Sequence, residues 1–448
     1  MAEKQQKVNV PKRILRTLLT ALTSGVVPRS GAPYIAIGRS AETAALLDSL
    51  DAAGEGGAST RFLIGRYGSG KSFLLQLLRG YALDRDYLTA DVDLSPERRL
   101  SGSGGLATYR ELLRNLASRA APEGGALPLV LSRYYASLAS ELAAQGIFPE
   151  SPLFGEEMKK KIYAMLSQLE GGVGGFEFAR VLGAYYAAEA EGDDLKKSAC
   201  LRWLRGEFHT KTEARSALGF PVGCVIDDAN WYDYIKLVAS LSRRIGYRGL
   251  LVLFDECVNL YKIPNRIARE ANYEKILSLF NDTIGGRAEG LALVFAGTVQ
   301  FLEDTRRGLF GYEALRSRLA DSRFTSGGYT AMTSPLIRLR RLSDNELLAL
   351  IQRLSLLHAE LYGLTPLSPE KCEAFLRASL ARTVADEQLT PREMIRDFLA
   401  LLDILRENSE ASFEGLVQEM LPPSAEGGEG DMPPSSEEAG GFFFNISL

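Results

Sequence analysis

The chain has 448 residues, 46% hydrophobic and 24% charged, a balance that suits a soluble globular protein of two or three domains. No apolar run approaches the roughly 20 residues needed to span a bilayer, the polar start Met1-Ala2-Glu3-Lys4 lacks a signal-peptide core, and four dispersed cysteines with no C-x-x-C pair argue against disulfides or zinc, so a cytoplasmic protein without membrane contact is expected. The net charge of −4 is uneven: nine of the 56 acidic residues lie from Glu407 onward, where Lys and Arg are absent, so the preceding body carries 47 acidic and 52 basic residues and permits nucleic-acid contact without demanding it.

Apolar spacing at Ile14, Leu18, Leu19 and Leu22 predicts a helix within 8–30, stopped by Ser24-Gly25 and Pro28. The segment Tyr34–Glu42 follows, then a helix to about Ala52 and a loop at Gly54–Gly57, together an N-terminal unit over 1–60. Arg61-Phe62-Leu63-Ile64 reads as a short buried strand, and Phe73–Leu78 as a helix. Between them Gly65-Arg66-Tyr67-Gly68-Ser69-Gly70-Lys71-Ser72 is a complete G-x-x-x-x-G-K-[ST] phosphate loop. In such a loop backbone N–H groups cradle phosphates at a helix N-terminus. Lys71 is expected to reach the β- and γ-phosphates of ATP and Ser72 to ligate Mg2+. Tyr87–Leu94 reads as a second strand and 107–120 as a helix, ending the first part of a nucleotide-binding core over 61–121. Residues 122–220 are helical in pattern with Gly and Pro interruptions, among them Gly171–Gly175, and are expected to be a helical insertion.

The core is expected to resume over 221–340, with a helix at Trp231–Ile245 and strands at Leu250–Phe254, Leu291–Ala296 and near Pro335–Leu339. The first of these strands is wholly apolar, as in a parallel sheet covered on both faces, and ends in Asp255-Glu256. Asp255 is expected to hold Mg2+ through water and Glu256 to polarise the attacking water. Thr298, with Gln300 second, follows the next strand and is the candidate to reach between water and γ-phosphate. Arg316 and Arg318 share one helical stretch and suit an arginine finger acting on a neighbouring subunit. Ser343 and Glu346 form a capping box that opens a helical lid over 341–406. Within it Thr390 is an N-cap and Pro391 takes the first helical position, so Arg392 faces the positive end of the dipole, where a phosphate would offset its charge. Residues 407–448 form an acidic tail expected to be disordered over 421–441; its end, Phe442-Phe443-Phe444, is expected to dock on a partner or a neighbouring subunit. The expected fold class is α/β, a parallel P-loop sheet flanked by helices with the insertion and the lid attached.

With these pieces in this order the chain resembles the AAA+ ATPases of the origin-recognition-like branch. The resemblance implies that Ile37-Gly38-Arg39-Ser40-Ala41-Glu42 helps to enclose the adenine, so Gly38 and Arg39 join Gly65–Ser72 as nucleotide-binding candidates. It also implies Walker A at Gly65–Ser72, Walker B at Asp255-Glu256, sensor 1 at Thr298, the finger at Arg316 or Arg318 and sensor 2 at Arg392. Over most of residues 10–405 the chain further resembles a family of bacterial ATP-binding proteins associated with BREX-type phage defence. The segments that carry this likeness include Ala21–Pro28, Trp203–Glu207, Ile263–Arg266, Asn272–Leu277 and Phe301–Gly308. In one respect the chain departs from origin-recognition proteins, which usually carry a winged-helix domain after the lid, whereas about 40 acidic, low-complexity residues follow Arg406 here. The expected function is an ATP-hydrolysing, homo-oligomeric motor or switch acting on DNA or a DNA-bound partner, with other phage-defence proteins as further partners. The alternative is a nucleotide-gated assembly module with little turnover. A phosphotransferase finds no acceptor-site motif to support it.

Overall fold

Among the described residues five short strands form one sheet: β1 (Ser59–Ile64), β2 (Leu88–Asp93), β3 (Leu250–Asp255), β4 (Leu291–Gly297) and β5 (Leu336–Arg338). The computed structural model describes residues 10–167, 173–320, 332–381 and 390–420. Every ladder is parallel and the order is β2-β3-β4-β1-β5. The register sets Ile64 opposite Gly297, and Asp93 opposite Asp255. The C-terminal ends of β1, β4 and β3 therefore stand side by side, the edge at which open parallel sheets bind ligands.

Side chains alternate across the pleat. Phe62, Val252, Phe254, Leu293 and Phe295 face one hydrophobic cluster, while Leu63, Leu251, Leu253, Val294 and Ala296 face another. The first face carries a row of stacked rings, with Phe254–Phe295 centroids 4.7 Å apart and Phe62–Phe295 5.3 Å apart. Leu127–Ala144, Phe154–Ser167, Val173–Glu191, Asp194–Leu204, Lys211–Leu218 and Trp231–Arg244 are helices, and the cluster on that face extends into them. The second face is covered by α2 (Ser40–Gly54) and α3 (Lys71–Asp84).

A third cluster lies apart from the sheet. It joins α1 (Lys12–Thr23) to the C-terminal helices Asp344–Tyr362, Pro369–Ala381, Pro391–Glu407 and Phe413–Glu419. Leu15, Leu18, Leu19 and Leu22 recur at helical spacing on α1 and pack with Leu354, Phe375 and Phe398. The first helix of the chain is thus part of a bundle built mainly by its last helices. This bundle runs on beyond residue 406, because Ser412 caps Phe413–Glu419 and Phe413 is buried in the cluster. The tail segment 421–448, with Phe442–Phe444, lies outside the described residues, as do the glycines at 171–172.

Local differences from the sequence reading have identifiable causes. The helix expected over 107–120 ends at Arg114, where the Asn115 side chain donates to the Asp91 carbonyl at 2.9 Å and Ala117 pairs with Thr89 beside β2. The 19-residue helix Arg266–Ile284, capped by Asn265, was not expected; its apolar residues are spread around the helix rather than along one stripe. Among the described residues no helix is long and apolar enough to cross a membrane.

Candidate functional site

The phosphate loop leaves β1 at Ile64 and enters α3 at Lys71. Gly68 and Gly70 take φ values of +73° and +92°, the left-handed region that favours glycine. A Cβ on Gly68 would also lie 2.5 Å from Thr390 Cγ2, so the loop packs directly against the N-cap of Pro391–Glu407. Gly70 caps α3 without a side chain, which leaves the first-turn amides without a side-chain acceptor. Lys71 curls back, its Nζ donating to the carbonyls of Gly65 at 3.1 Å and Arg66 at 2.9 Å. Burial pushes its ammonium pKa down, the charges of Asp255 and Glu256 oppose that shift, and Arg392 adds to it. These four charged groups are therefore electrostatic neighbours although they come from three distant parts of the chain. The Ser69 hydroxyl is buried with no hydrogen-bond partner. An orphan hydroxyl and uncapped helix amides fit an anion in the loop.

Asp255 and Glu256 stand at the C-terminal end of β3. Glu256 is exposed and has φ +53°, one of two non-glycine residues among those described with positive φ. Its N–H donates to Asp255 Oδ1 at 2.8 Å, and the next N–H, of Cys257, donates to Ala296 O on β4. Sparsely populated backbone of this kind concentrates at functional sites. The turn carries the Glu256 side chain into an open cleft that also receives Tyr67, Gly68, Ser69, Gly70, Lys71 and Ser72.

The opposite side of that cleft is apolar. It is lined by Leu22, Val26, Val27 and Pro28, by Ile35 and Ile37, and by Leu342, Leu350 and Ile395 of the C-terminal bundle. The run after α1 is aimed there by a Schellman stop: Val26 N–H returns to Ala21 O and Gly25 N–H to Leu22 O, with Gly25 at φ +69°. Ile37 falls in the segment expected to enclose the adenine; the other lining residues of this wall were not read from the sequence. The available signal was the apolar trio Val26-Val27-Pro28 directly after a helix stop, with Val26 left 60% exposed.

Arg392 lines the same cleft, beside Pro391. Its helix carries a full capping box between Thr390 and Glu393. Arg39 lines it too, but its guanidinium is committed: it donates to Glu42 Oε1 at 3.2 Å, Arg340 O at 2.9 Å and Ser69 O at 3.0 Å. Gly38 has φ +71°, and a Cβ there would lie 2.6 Å from Glu346 Oε1. Thr298 stands one residue beyond β4, between the ends of β1 and β3, and its hydroxyl caps Val299–Glu303 through Phe301 N–H at 3.3 Å. Arg66 and Gly65 belong to the loop, Arg66 on its exposed side. Arg316 and Arg318 are exposed on Glu313–Leu319 and are not part of the cleft; Arg318 Nε donates to Asn281 Oδ1 at 3.1 Å.

The site thus combines a phosphate loop, an acidic strand end and an apolar wall. No curated protein matches this chain. A family model does, over residues 10–420, and with it the chain belongs to the BREX system ATP-binding protein BrxC/D family, which gives it an ATP-binding role in phage defence.

Proposed function

We propose that the chain is a P-loop ATPase of the AAA+ type that hydrolyses ATP to ADP and phosphate at this cleft. The observation that carries the reading is the convergence of Lys71, Glu256 and Arg392 on one cleft with the glycine loop and an apolar wall. The adenine would lie against Val26, Val27, Ile37 and Ile395, and the phosphates on the amides of Gly70, Lys71 and Ser72. Lys71 would leave the carbonyls of Gly65 and Arg66 for the β- and γ-phosphates. Ser72 and, through water, Asp255 would hold Mg2+, which when bound neutralises phosphate charge. Glu256 accepts a proton from the attacking water as general base. Thr298, one residue past β4 and not among the residues lining the cleft, would sense the γ-phosphate from the sheet side, and Arg392 would do so from the helical lid. Arg316 and Arg318, outside the chain's own cleft, would serve the cleft of a neighbouring copy, so the working form is an oligomer. DNA or a DNA-bound defence protein is the proposed target.

Glu256→Gln is the discriminating variant. It should keep ATP affinity and lower steady-state phosphate release by at least about 100-fold, since an amide cannot accept the proton. Wild-type turnover in Glu256→Gln overturns the assignment of Glu256. Binding without measurable turnover in the native chain, with and without DNA, favours a nucleotide-gated assembly module instead. That second reading draws on the cleft having one wall from the sheet and one from the bundle, so that binding alone can draw the two together.

A further inference from the structure

Arg39 is 5% exposed, yet it sits at the edge of the cleft and spends its planar fork on three separate parts of the chain. One donor goes to Glu42 on α2, itself 4% exposed. One goes to the carbonyl of Arg340, in the connection from β5 to the helix Asp344–Tyr362. The third goes to the carbonyl of Ser69, inside the phosphate loop. A buried ion pair alone would need only the first. The other two tie a loop peptide to the start of the bundle across 271 residues of sequence, from Ser69 to Arg340.

The Ser69 contact has a geometric consequence. A trans peptide is planar, with its C=O and N–H pointing in opposite directions. Holding the Ser69 carbonyl on Arg39 therefore turns the Gly70 N–H the other way. Gly70 is free to accept this because its φ is +92° and nothing lies within 4 Å of where a Cβ would be. Without the guanidinium that peptide has little to fix its plane. The connection at Arg340 is itself anchored, since the Arg340 guanidinium pairs with Glu346, the capping residue of Asp344–Tyr362, at 2.6 Å and through a second contact to the other oxygen.

We infer that Arg39 is a positioning residue: it sets the Ser69–Gly70 peptide with its N–H toward the phosphates of the nucleotide and couples that peptide to the bundle through Arg340. This inference rests on the phosphates occupying the loop. Arg39 touches no phosphate in this role and acts through the backbone it holds. Lysine cannot replace it, because a single ammonium lacks the fixed fork that meets two carbonyls and a carboxylate at once.

The test compares Arg39→Lys, Glu42→Gln and Lys71→Ala with the native full-length chain. Each is titrated with ATP and with ADP, and the melting temperature is recorded without nucleotide. Arg39→Lys should lower affinity for ATP and ADP by about tenfold, the scale of one well-aimed hydrogen bond to a charged group. Its nucleotide-free melting temperature should stay close to native. Glu42→Gln, which loosens Arg39 without touching the loop, should give a smaller loss in the same direction, and it carries the test if Arg39→Lys does not fold. In the ATP-bound protein, amide hydrogen exchange at Gly70 should be quicker in either variant than in the native chain. Native affinity and native Gly70 exchange in the folded variants overturn the inference, as does an affinity loss that only tracks a fall in melting temperature. Lys71→Ala separates the two levels: if it binds ATP normally, the phosphates are not in the loop and the underlying reading fails; if it loses binding while Arg39→Lys does not, only the role of Arg39 fails.

Discussion

The two ends of the cleft are built in opposite ways. The glycine-loop end comes from consecutive residues, Tyr67–Ser72, with Glu256 added from the next strand but one in the sheet. Its chemistry is charge and backbone N–H groups, which act at short range and need a fixed local geometry. The apolar end comes from Leu22, Val26–Pro28, Ile35, Ile37, Leu342, Leu350 and Ile395, brought together by the packing of α1 with the C-terminal helices. Its chemistry is buried area, which any correctly placed aliphatic side chain supplies. The difference teaches that the charged, glycine-rich end of the cleft is written locally, and the apolar end is written in tertiary structure.

The comparison leaves Arg316 and Arg318 at neither end, and the largest expected effect tests that exclusion. Alanine at the true finger should lower turnover by roughly 10³-fold while ATP affinity stays native. Turnover of the native chain should rise with protein concentration, as followed by phosphate release alongside light scattering. A monomer with concentration-independent turnover removes both arginines from the mechanism.

Next in size is the separation of the two ends by ligand. Lys71→Ala should weaken ATP by about 100-fold or more, because the half-buried cation proposed to meet the phosphates is lost, yet leave adenosine binding unchanged. Ile395→Ala should weaken ATP and adenosine equally, by about fivefold, the worth of the apolar area removed. Isothermal titration with the two ligands reads both variants. If Ile395→Ala affects ATP alone, the apolar wall is not where the base sits.

The smallest effect is on stability. Hydrogen bonds from Arg340, then from the Ser343 backbone N–H, hold the Glu346 carboxyl down to about 2, against an ordinary value of 4.5. A lowered carboxylate pKa stabilises the fold above the unfolded value and loses that contribution as the pH falls through the folded one. The urea midpoint of the native chain should therefore exceed that of Glu346→Gln at pH 6. The gap should shrink between pH 4.5 and about 2. Because the carboxylate is partly exposed, the difference should be modest and should diminish in salt.

Legibility in the sequence followed the same division. The strands β1 to β5, the loop, Asp255-Glu256 and the caps at Ser343 and Thr390 were all readable, because each rests on contiguous residues with a local physical reason. Arg392 was readable through its awkward place in a helix first turn, and it does line the cleft. The commitment of Arg39 to Ser69 and Arg340 was not readable, since it depends on residues 30 and 301 positions away. Nor was the union of α1 with the last helices, for which amphipathic spacing gives a sticky face but no partner. The helix Arg266–Ile284 escaped because its apolar residues follow no single stripe.

That union bears on how the molecule comes into being. Leu15, Leu18 and Leu22 find their partners in residues that leave the ribosome more than 300 positions later, at Leu354, Phe375 and Phe398. At roughly 5 to 20 residues per second, α1 waits on the order of 20 to 80 s with its apolar stripe uncovered, while all five strands of the sheet are made first. The apolar wall of the cleft is thus complete only once Ile395 has been made. A nascent chain stopped before residue 340 would carry the glycine loop without the apolar wall that faces it and an exposed leucine face, the combination that draws chaperones and invites aggregation.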